Sequence, residues 1–316
     1  MKQHESLKGW PLIWWLFTLF GIPITFPWLL YHIIDVIRSK RRRAALRDKV
    51  VLITGASSGL GEALSHSFYS CGCRLILVAR RKEELERVKN ALINEHCTVT
   101  THPPIVLCLD LSDINSLRTE VDKVLAVHGH IDILVNNAGI SYRGQVVDTN
   151  VNVDIKVMLI NYFAQIAMTK AVLPSMVKRQ SGHIVCIGSV QAKIAIPHRS
   201  SYAASKHALQ AWCDSARAEL ANEQVKFTVV NPGYIKTALS LNAITADGQN
   251  YGVMDKTTQE GYSPEYVAKR ILTAVLKEEM EITIAPLLPR SVMFFRNLLP
   301  SVYFKIMEKR AKAKSE

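Results

Sequence analysis

The chain has 316 residues, of which 48% are hydrophobic and 21% charged, a composition typical of a folded protein rather than a disordered one. Its formal net charge of +12 is concentrated in the segments 38–49 and 305–316. Nucleic-acid binding proteins usually spread a basic surface over the folded domain, so this distribution argues against nucleic acid as a partner. The basic segments are interpreted as solvated tails, and the first of them also suits a membrane surface.

The segment from Trp10 to Ile34 contains no Asp, Glu, Lys or Arg, and as a helix it is long enough to cross a bilayer. Its aromatic residues are suited to the membrane interface: Trp10, Trp14, Trp15, Trp28 and Tyr31. Pro23 and Pro27 predict an interruption, so a hairpin that enters one leaflet is the alternative to a full span. The basic run that follows, "RSKRRR", places the main domain on the cytosolic side.

Short apolar runs alternate with longer helical patterns from Lys49 onward. The runs predict strands at 49–54, 74–79, 105–110, 131–139, 182–189, 225–233 and 281–286. The patterns between them predict helices at 59–72, 82–95, 111–129, 154–179, 201–221 and 263–278. This alternation predicts an α/β protein: a three-layer doubly wound Rossmann fold with a mostly parallel seven-stranded sheet.

The predicted organisation has four parts. A membrane anchor covers 1–37, a basic linker 38–48, the Rossmann domain 49–285 and an amphipathic basic extension 286–316. The extension is expected either to lie near a membrane or to pack in a dimer.

The chain has six cysteines, which form no CxxC pair and have no metal-ligand spacing with histidine, so no metal site is expected. Most of these thiols are expected to be buried, and the absence of an N-x-S/T sequon favours a cytosolic compartment.

The stretch "TGASSGLG" at 54–61 follows the first predicted strand and opens a helix. Gly55 permits a tight exit from the strand, Gly59 lets the backbone approach a pyrophosphate, and Gly61 lets helix and sheet pack closely. The amide groups of the helix N-terminus then face the phosphate charge. The spacing differs from the standard G-x-G-x-x-G pattern and is typical of a particular family.

Further motifs follow in order along 50–235. They are "NNAG" at 136–139, Asn161, Ser189, "YAASK" with Tyr202 and Lys206, and "PGYIKT" at 232–237. With this set the chain resembles the classical short-chain dehydrogenase/reductase family. The resemblance implies catalytic roles for Ser189, Tyr202, Lys206 and Asn161. It implies cofactor contacts at Gly55, Ser57, Ser58, Gly59, Leu60, Gly61, Arg80, Arg81, Asp110, Leu111, Asn137, Ala138, Gly139, Tyr202, Lys206, Pro232, Gly233, Ile235 and Thr237.

The chemistry of carbonyl reduction needs these residue types. A phenol can donate a proton to the carbonyl oxygen, and a neighbouring cation lowers its pKa toward the working range. Lys206 lies four residues after Tyr202 and therefore on the same face of a helix. Ser189 can hydrogen-bond the substrate oxygen. By resemblance, Asn161 holds a water that links Lys206 to solvent, whereas His198, His207 and Asp132 are expected to have structural roles.

The end of the second strand predicts the cofactor. Arg80 and Arg81 stand where enzymes that use NAD(H) place an acidic residue on the ribose hydroxyls. A guanidinium suits a 2′-phosphate, so NADP(H) is favoured over NAD(H). The alternative is that both arginines only begin a charged helix.

The substrate is predicted from further resemblance. By family resemblance, 234–262 forms a lid, and the apolar N-terminus resembles a membrane-bound subgroup. In that subgroup a relative is proposed to reduce acyl- or alkyl-dihydroxyacetone phosphate at the peroxisome and the endoplasmic reticulum. A lipophilic ketone or aldehyde is therefore expected, with a steroid or retinoid as the alternative and a non-catalytic, membrane-tethered binding protein as a third possibility. The family also implies a homodimer or homotetramer through helices that include 154–179 and 201–221.

Overall fold

The computed structural model describes residues 22–312 together with Trp14, Thr18 and Leu19. The chain divides into two units, Met1–Ala45 and Leu46–Glu316. Of the predicted anchor, the part before Ile22 lies outside the described residues apart from those three. The charge-free stretch is therefore described mainly from Ile22 to Ile34.

Helix α1 covers Ile22–Ala44 and is continuous through Pro27, where the sequence predicts a break. Pro23 lies in the first turn, where a backbone N–H has no helical acceptor, and Pro27 forgoes a single backbone hydrogen bond. The apolar side chains along α1 are exposed, among them Phe26, Trp28 and Leu30. The last turn carries Arg41, Arg42 and Arg43, so the first part of the predicted linker is helical.

Strands are found throughout the second unit. In the described part of the chain they are β1 Val50–Thr54, β2 Arg74–Ala79, β3 Ile105–Cys108, β4 Ile133–Asn136, β5 Tyr142–Arg143, β6 Gly182–Ile187, β7 Val225–Pro232, β8 Ile244–Thr245 and β9 Glu281–Ile284. Seven of them form one sheet in the order β3-β2-β1-β4-β6-β7-β9. Every neighbouring pair in that sheet is parallel. The short strands β5 and β8 form a separate parallel pair.

Helices connect and cover these strands. They are α2 Gly59–Tyr69, α3 Lys82–Glu95, α4 Ile114–His128, α5 Val151–Met158, α6 Ala164–Lys178, α7 Ser200–Glu219, α8 Lys256–Gln259, α9 Pro264–Lys277, α10 Leu287–Leu298 and α11 Pro300–Lys312. A π-helical turn, Leu159–Phe163, joins α5 to α6. Short 3₁₀ turns follow β6 at Val190–Ala192 and α7 at Ala221–Glu223.

The two faces of the sheet carry separate hydrophobic cores. Val51 and Ile53 of β1 pack in the core that contains α2, α3 and α9. Val50 and Leu52 point to the opposite core, with α4, α6 and α7. Successive side chains of a strand alternate between faces, so a strand that is apolar throughout feeds both cores. The predicted three-layer doubly wound fold is confirmed.

One helical run among the described residues, Val151–Lys178, is long and apolar enough to span a membrane. Half of its apolar window is buried within the protein. Met168, Val172 and Met176 from this run belong to the core beneath the sheet. Core helices of soluble proteins have the same length and composition, so this helix is weak evidence for a membrane.

The cysteines are less buried than the sequence predicts. Cys73, Cys186 and Cys213 are buried, whereas Cys97 and Cys108 are exposed. Cys108 ends the edge strand β3, whose side chains are partly open to solvent. An apolar run therefore does not guarantee burial at a sheet edge.

His183 on β6 predicts a pH dependence of stability. Its ring contacts the Thr228 hydroxyl at 2.8 Å. Burial lowers the pKa of His183 to about 4; the nearby Glu278 charge raises this pKa and the Lys226 charge lowers it. The unfolded chain binds this proton more readily, so stability is complete above about pH 6.5 and falls toward pH 4. We expect a loss of about 2 kcal/mol between about pH 7.5 and pH 5 from this residue.

Thermal unfolding of the wild type and of His183→Gln at the two pH values measures this contribution. The variant should show a shallower decrease, because glutamine does not titrate. An equal decrease in both proteins would assign the pH dependence to other groups.

Candidate active site

The loop after β1 is held in a shape that only glycines allow. Gly55 and Gly59 have φ values of +66° and +58°, in the left-handed region. A Cβ atom on Gly61 would lie 2.1 Å from the Gly55 carbonyl oxygen. Ser58 at the N-cap of α2 makes no side-chain capping bond, so amide groups of the first turn are open to a ligand. These features fit the pyrophosphate of a dinucleotide at the N-terminus of α2.

The turn after β4 buttresses this loop. The Asn137 side chain donates hydrogen bonds to the Thr54 and Gly55 carbonyl oxygens at 2.9 and 3.3 Å. The Thr54 hydroxyl accepts from the backbone N–H groups of Asn137 and Ala138. Loop and turn are therefore fixed to each other across the C-terminal ends of β1 and β4.

Arg80 and Arg81 lie at the end of β2, on the wall of the same cleft. The Arg81 guanidinium donates to the Ser57 and Ser58 hydroxyls at 3.2 and 3.3 Å. Asp110 accepts a hydrogen bond from the Ser112 backbone N–H at 2.9 Å. That bond is the main cause of a lowered pKa at Asp110, and the charge of Arg80 adds to it. This end of the cleft thus presents two guanidinium groups beside one ionised carboxylate.

The predicted catalytic side chains meet where β6 ends and α7 begins. Lys206 donates from Nζ to the Ile187 carbonyl oxygen at 2.8 Å and lies 5.8 Å from the centre of the Tyr202 ring. Ser189 follows β6; its backbone N–H donates to Asn231 Oδ1 at 3.1 Å, and its hydroxyl accepts from the Gln191 N–H at 3.1 Å. Tyr202, Lys206 and Ser189 are all buried.

Burial shifts the two titrating groups in opposite directions. It raises the pKa of the Tyr202 phenol, and the Ser189 hydrogen bond and the Arg143 charge oppose the rise. Burial lowers the pKa of Lys206 to about 8. Near neutral pH the phenol keeps its proton and the lysine carries charge, the state that suits proton donation to a carbonyl oxygen.

Asn161 occupies the π-helical turn between α5 and α6. Its Oδ1 accepts from the Ile140 N–H at 2.8 Å, and its Nδ2 donates to the Ile140 carbonyl and the Ser205 hydroxyl. A Cβ atom on Gly139 would lie 3.1 Å from Asn161 Oδ1 and 3.8 Å from Lys206 Nζ. The side chain therefore clamps the turn after β4 next to the lysine, and π turns of this kind are frequent at functional sites.

A cleft of about 760 Å³ contains this whole constellation. With the exception of Asn161, which lies behind the wall, it is lined by every residue for which the sequence predicts a catalytic or cofactor role. The remaining predicted cofactor residues also line it: Leu60 in α2, Leu111 after β3, and Pro232, Gly233, Ile235 and Thr237 at and after the end of β7. The cleft lies at the C-terminal edge of the parallel sheet, as the doubly wound fold requires.

Several cleft residues are absent from the sequence prediction. Arg143 and Arg199 line the cleft and share the carboxylate of Asp255. Leu288, Pro289, Val292, Met307 and Arg310 line it from the helices α10 and α11. The sequence offers one signal for Arg199, which is its position three residues before Tyr202. It offers no signal for the cleft residues of α10 and α11.

Residues expected to be structural lie elsewhere. Asp132 precedes β4, where it accepts from the Val50 N–H and pairs with Lys49 and Arg179. His207 contacts the Ala203 carbonyl at 2.8 Å.

Outside the cleft wall, His66, Glu95 and His96 bring three possible metal-ligand atoms within 4.8 Å of one another. The spacing of these residues in the sequence does not reveal this grouping.

Comparisons with known proteins agree with this geometry. The short chain dehydrogenase family profile matches residues 49–247. The chain is 54% identical over 311 residues to the Anopheles gambiae dehydrogenase/reductase SDR family protein 7-like, covering 98% of each chain.

Two solved structures share the fold. A metagenomic short-chain oxidoreductase in complex with NADP is 26% identical, with a TM-score of 0.62 and coverage of 76% of this chain and 99% of that one. A short chain dehydrogenase/reductase from Burkholderia phymatum in complex with NAD is 21% identical, with a TM-score of 0.71 and coverage of 81% and 95%. The chain therefore belongs to the short-chain dehydrogenase/reductase family and is an oxidoreductase that acts on CH–OH or C=O groups.

Proposed function

We propose that this protein is a membrane-anchored, NADP(H)-dependent oxidoreductase that reduces a ketone or aldehyde of a lipophilic substrate, or oxidises the corresponding alcohol. The observation that carries the proposal is the convergence of Ser189, Tyr202 and Lys206 in a cleft whose remaining wall is largely apolar. Polar groups at one point of an apolar cleft fix the orientation of a ligand, and the apolar surface supplies affinity.

The glycine loop, Asn137, Lys206 and Thr237 would hold the cofactor, which when bound supplies hydride equivalents to a carbonyl carbon. Tyr202 donates its phenolic proton to the carbonyl oxygen as negative charge develops there. The Ser189 hydroxyl donates to the same oxygen and fixes the substrate. Lys206 lies beside the Tyr202 ring, where its positive charge stabilises the phenolate that remains.

Arg80 and Arg81 support NADP(H) as the cofactor, since both line the cleft at the end of β2. We expect the double variant Arg80→Gln/Arg81→Gln to raise the KM for NADPH by about 10- to 100-fold and to leave the KM for NADH nearly unchanged, because charge-assisted bonds to a 2′-phosphate are lost. Steady-state kinetics with each cofactor measure the change. Lys82→Gln is the matched control, because Lys82 is an exposed neighbour outside the cleft wall. Equal losses with both cofactors would contradict the assignment.

The apolar side chains on the wall of the cleft suit an apolar substrate. They include Ile160, Ile194, Ile196, Leu239, Leu288, Val292 and Met307. Acyl- or alkyl-dihydroxyacetone phosphate lipids are the first candidate class, and steroids or retinoids are the second. Both present a carbonyl group on a largely apolar skeleton.

The exposed apolar side chains of α1 and its basic last turn support an anchor at a cytosolic membrane surface. The endoplasmic reticulum and the peroxisome are the membranes we propose. Exposed Ile155 and Phe163 on the α5–α6 run support self-association through this face, as a homodimer or homotetramer.

The test uses the full chain in detergent with NADPH and three carbonyl substrates: acyl-dihydroxyacetone phosphate, retinal and a 3-ketosteroid. NADPH oxidation with one of these classes is the expected result. Binding of NADPH without oxidation in the presence of any of them would instead favour the non-catalytic, membrane-tethered binding protein.

A further inference from the structure

The charges on the cleft wall are strongly unbalanced. Among the described residues that line it, the cations are Arg80, Arg81, Arg143, Lys156, Arg199, Lys206 and Arg310, and the one carboxylate is Asp110. Arg80, Arg81 and Asp110 lie together at the end assigned to the cofactor ribose, and Lys206 serves the catalytic phenol. The four remaining cations have no carboxylate beside them on the wall, and a cleft lined by one sign of charge attracts the opposite sign.

The N–H donors of Arg143 are all bonded within the protein. Its guanidinium donates to Asp255 Oδ2 through Nε and Nη2, at 2.9 and 2.6 Å. Its other N–H groups reach the Ser141 hydroxyl, the Tyr142 carbonyl oxygen and the Ser240 hydroxyl. The side chain is 7% exposed. A guanidinium has five N–H donors, so Arg143 has none left for a ligand.

Arg199 differs from Arg143 in this respect. It is only 4% exposed and makes one hydrogen bond within the described residues, from Nη2 to Asp255 Oδ2 at 2.9 Å. Four of its five N–H donors have no protein partner there. The single charge of Asp255 is shared between two guanidinium groups, so the cluster keeps a net positive charge. A buried charge of this kind is costly unless an ion partner completes it.

The backbone fixes Arg199 close to the reaction centre. Its carbonyl oxygen accepts from the Ala203 N–H at 2.8 Å, so the residue stands one helical turn before Tyr202. His198, immediately before it, has a φ of +61°, in the left-handed region.

We infer that Arg199 binds the anionic head group of an amphiphilic carbonyl substrate, with the apolar chain lying along Ile194, Leu288 and Val292. The inference rests on the proposed carbonyl reduction and names the charge of its substrate. A phosphate or a carboxylate suits the planar fork of N–H donors, because both accept two parallel hydrogen bonds. A neutral steroid or retinoid would leave the net positive charge of the cluster of Arg143, Arg199 and Asp255 without a counter-charge.

The test measures inhibition of NADPH-dependent reduction of a neutral long-chain methyl ketone by the full chain in detergent. The inhibitors are dodecyl phosphate, dodecanoate, dodecanol and inorganic phosphate. Dodecyl phosphate is expected to inhibit the wild type at least about 10-fold more tightly than dodecanol, since a charged hydrogen bond contributes about 1.5–3 kcal/mol. Inhibition by dodecanoate at the same level would assign a carboxylate head group, and inhibition by inorganic phosphate alone would assign free phosphate instead of a lipid and overturn the inference.

Arg199→Gln should lose this 10-fold preference for dodecyl phosphate over dodecanol, with both inhibition constants measured in the same variant. Arg199→Lys, which keeps the charge without the fork, should retain part of the preference and also serves if the glutamine variant does not fold. Asp255→Asn removes the other side of the same contact and should preserve or tighten binding of dodecyl phosphate.

A purely structural tie between Arg199 and Asp255 predicts the opposite pattern. Both Arg199→Gln and Asp255→Asn would then weaken the neutral ketone and the anionic inhibitor equally, and that outcome would overturn the inference. Failure of the wild type to reduce any ketone would count against the proposed function instead. Calorimetric titration of dodecyl phosphate into the NADPH-bound wild type and Arg199→Gln decides the head-group site without turnover.

Discussion

Replacement of Tyr202 by phenylalanine should lower kcat for carbonyl reduction by about 10²- to 10⁴-fold, the usual contribution of a positioned general acid. The ring would keep its place in the first turns of α7, so the variant removes the proton donor with little change of shape. Burial raises the pKa of the phenol, which therefore keeps its proton near neutral pH. The loss should therefore appear in kcat, while the affinity for NADPH, measured by fluorescence titration, stays close to the wild-type value.

Tyr69→Phe is the matched control for this experiment. Tyr69 is also buried, but it lies on α2 against His96 and outside the cleft wall. Its replacement should leave kcat within about twofold of the wild type, as expected for a change that spares the site. A Tyr202→Phe protein that reduces the same ketone at the wild-type rate would disprove the assignment of Tyr202 as proton donor.

Replacement of Gly61 by alanine is expected to damage both the fold and the cofactor site. The new Cβ would lie 2.1 Å from the Gly55 carbonyl oxygen and 2.7 Å from Asn137 Nδ2. The first of these is backbone and cannot rotate away, so α2 must move from β1 at a cost of about 1–3 kcal/mol. The same shift disturbs the loop that would hold the pyrophosphate, so the affinity for NADPH should fall by at least about tenfold.

Differential scanning calorimetry and NADPH titration measure the two effects of Gly61→Ala. Ser67→Ala on the same helix is the control, because Ser67 is partly exposed and outside the cleft wall. Its melting temperature should stay within a few degrees of the wild type. Wild-type melting and NADPH affinity in Gly61→Ala would mean that close packing of α2 on β1 is not required.

Many of the residues that the sequence predicts for the cofactor site stand where a strand ends. Gly55 follows β1, Arg80 follows β2, and Ser189 follows β6, so a prediction of strand order also predicts which loops meet. Parallel strands of a doubly wound sheet bring these ends to one edge. The fold and the set of loops that meet at this edge can therefore be predicted from local pattern.

The residues on the proposed substrate side of the cleft cannot be predicted in the same way. Asp255 joins Arg143 and Arg199 across 112 and 56 residues of chain, through a segment with few strong helix or strand signals. The buried Tyr303 of α11 donates from its hydroxyl to the Ala195 carbonyl oxygen, 108 residues earlier in the chain. Such pairings arise from tertiary packing, and neither periodicity nor residue spacing reports them.

The residues of α10 and α11 that line the cleft come later in the chain than the predicted catalytic residues. The family profile ends at residue 247, whereas Leu288, Val292 and Met307, which line the cleft, come after it. We therefore expect mutations in α10 and α11 to change which molecules enter the cleft without altering Ser189, Tyr202 or Lys206. A chain built in this way can acquire new substrates during evolution while its reaction stays the same.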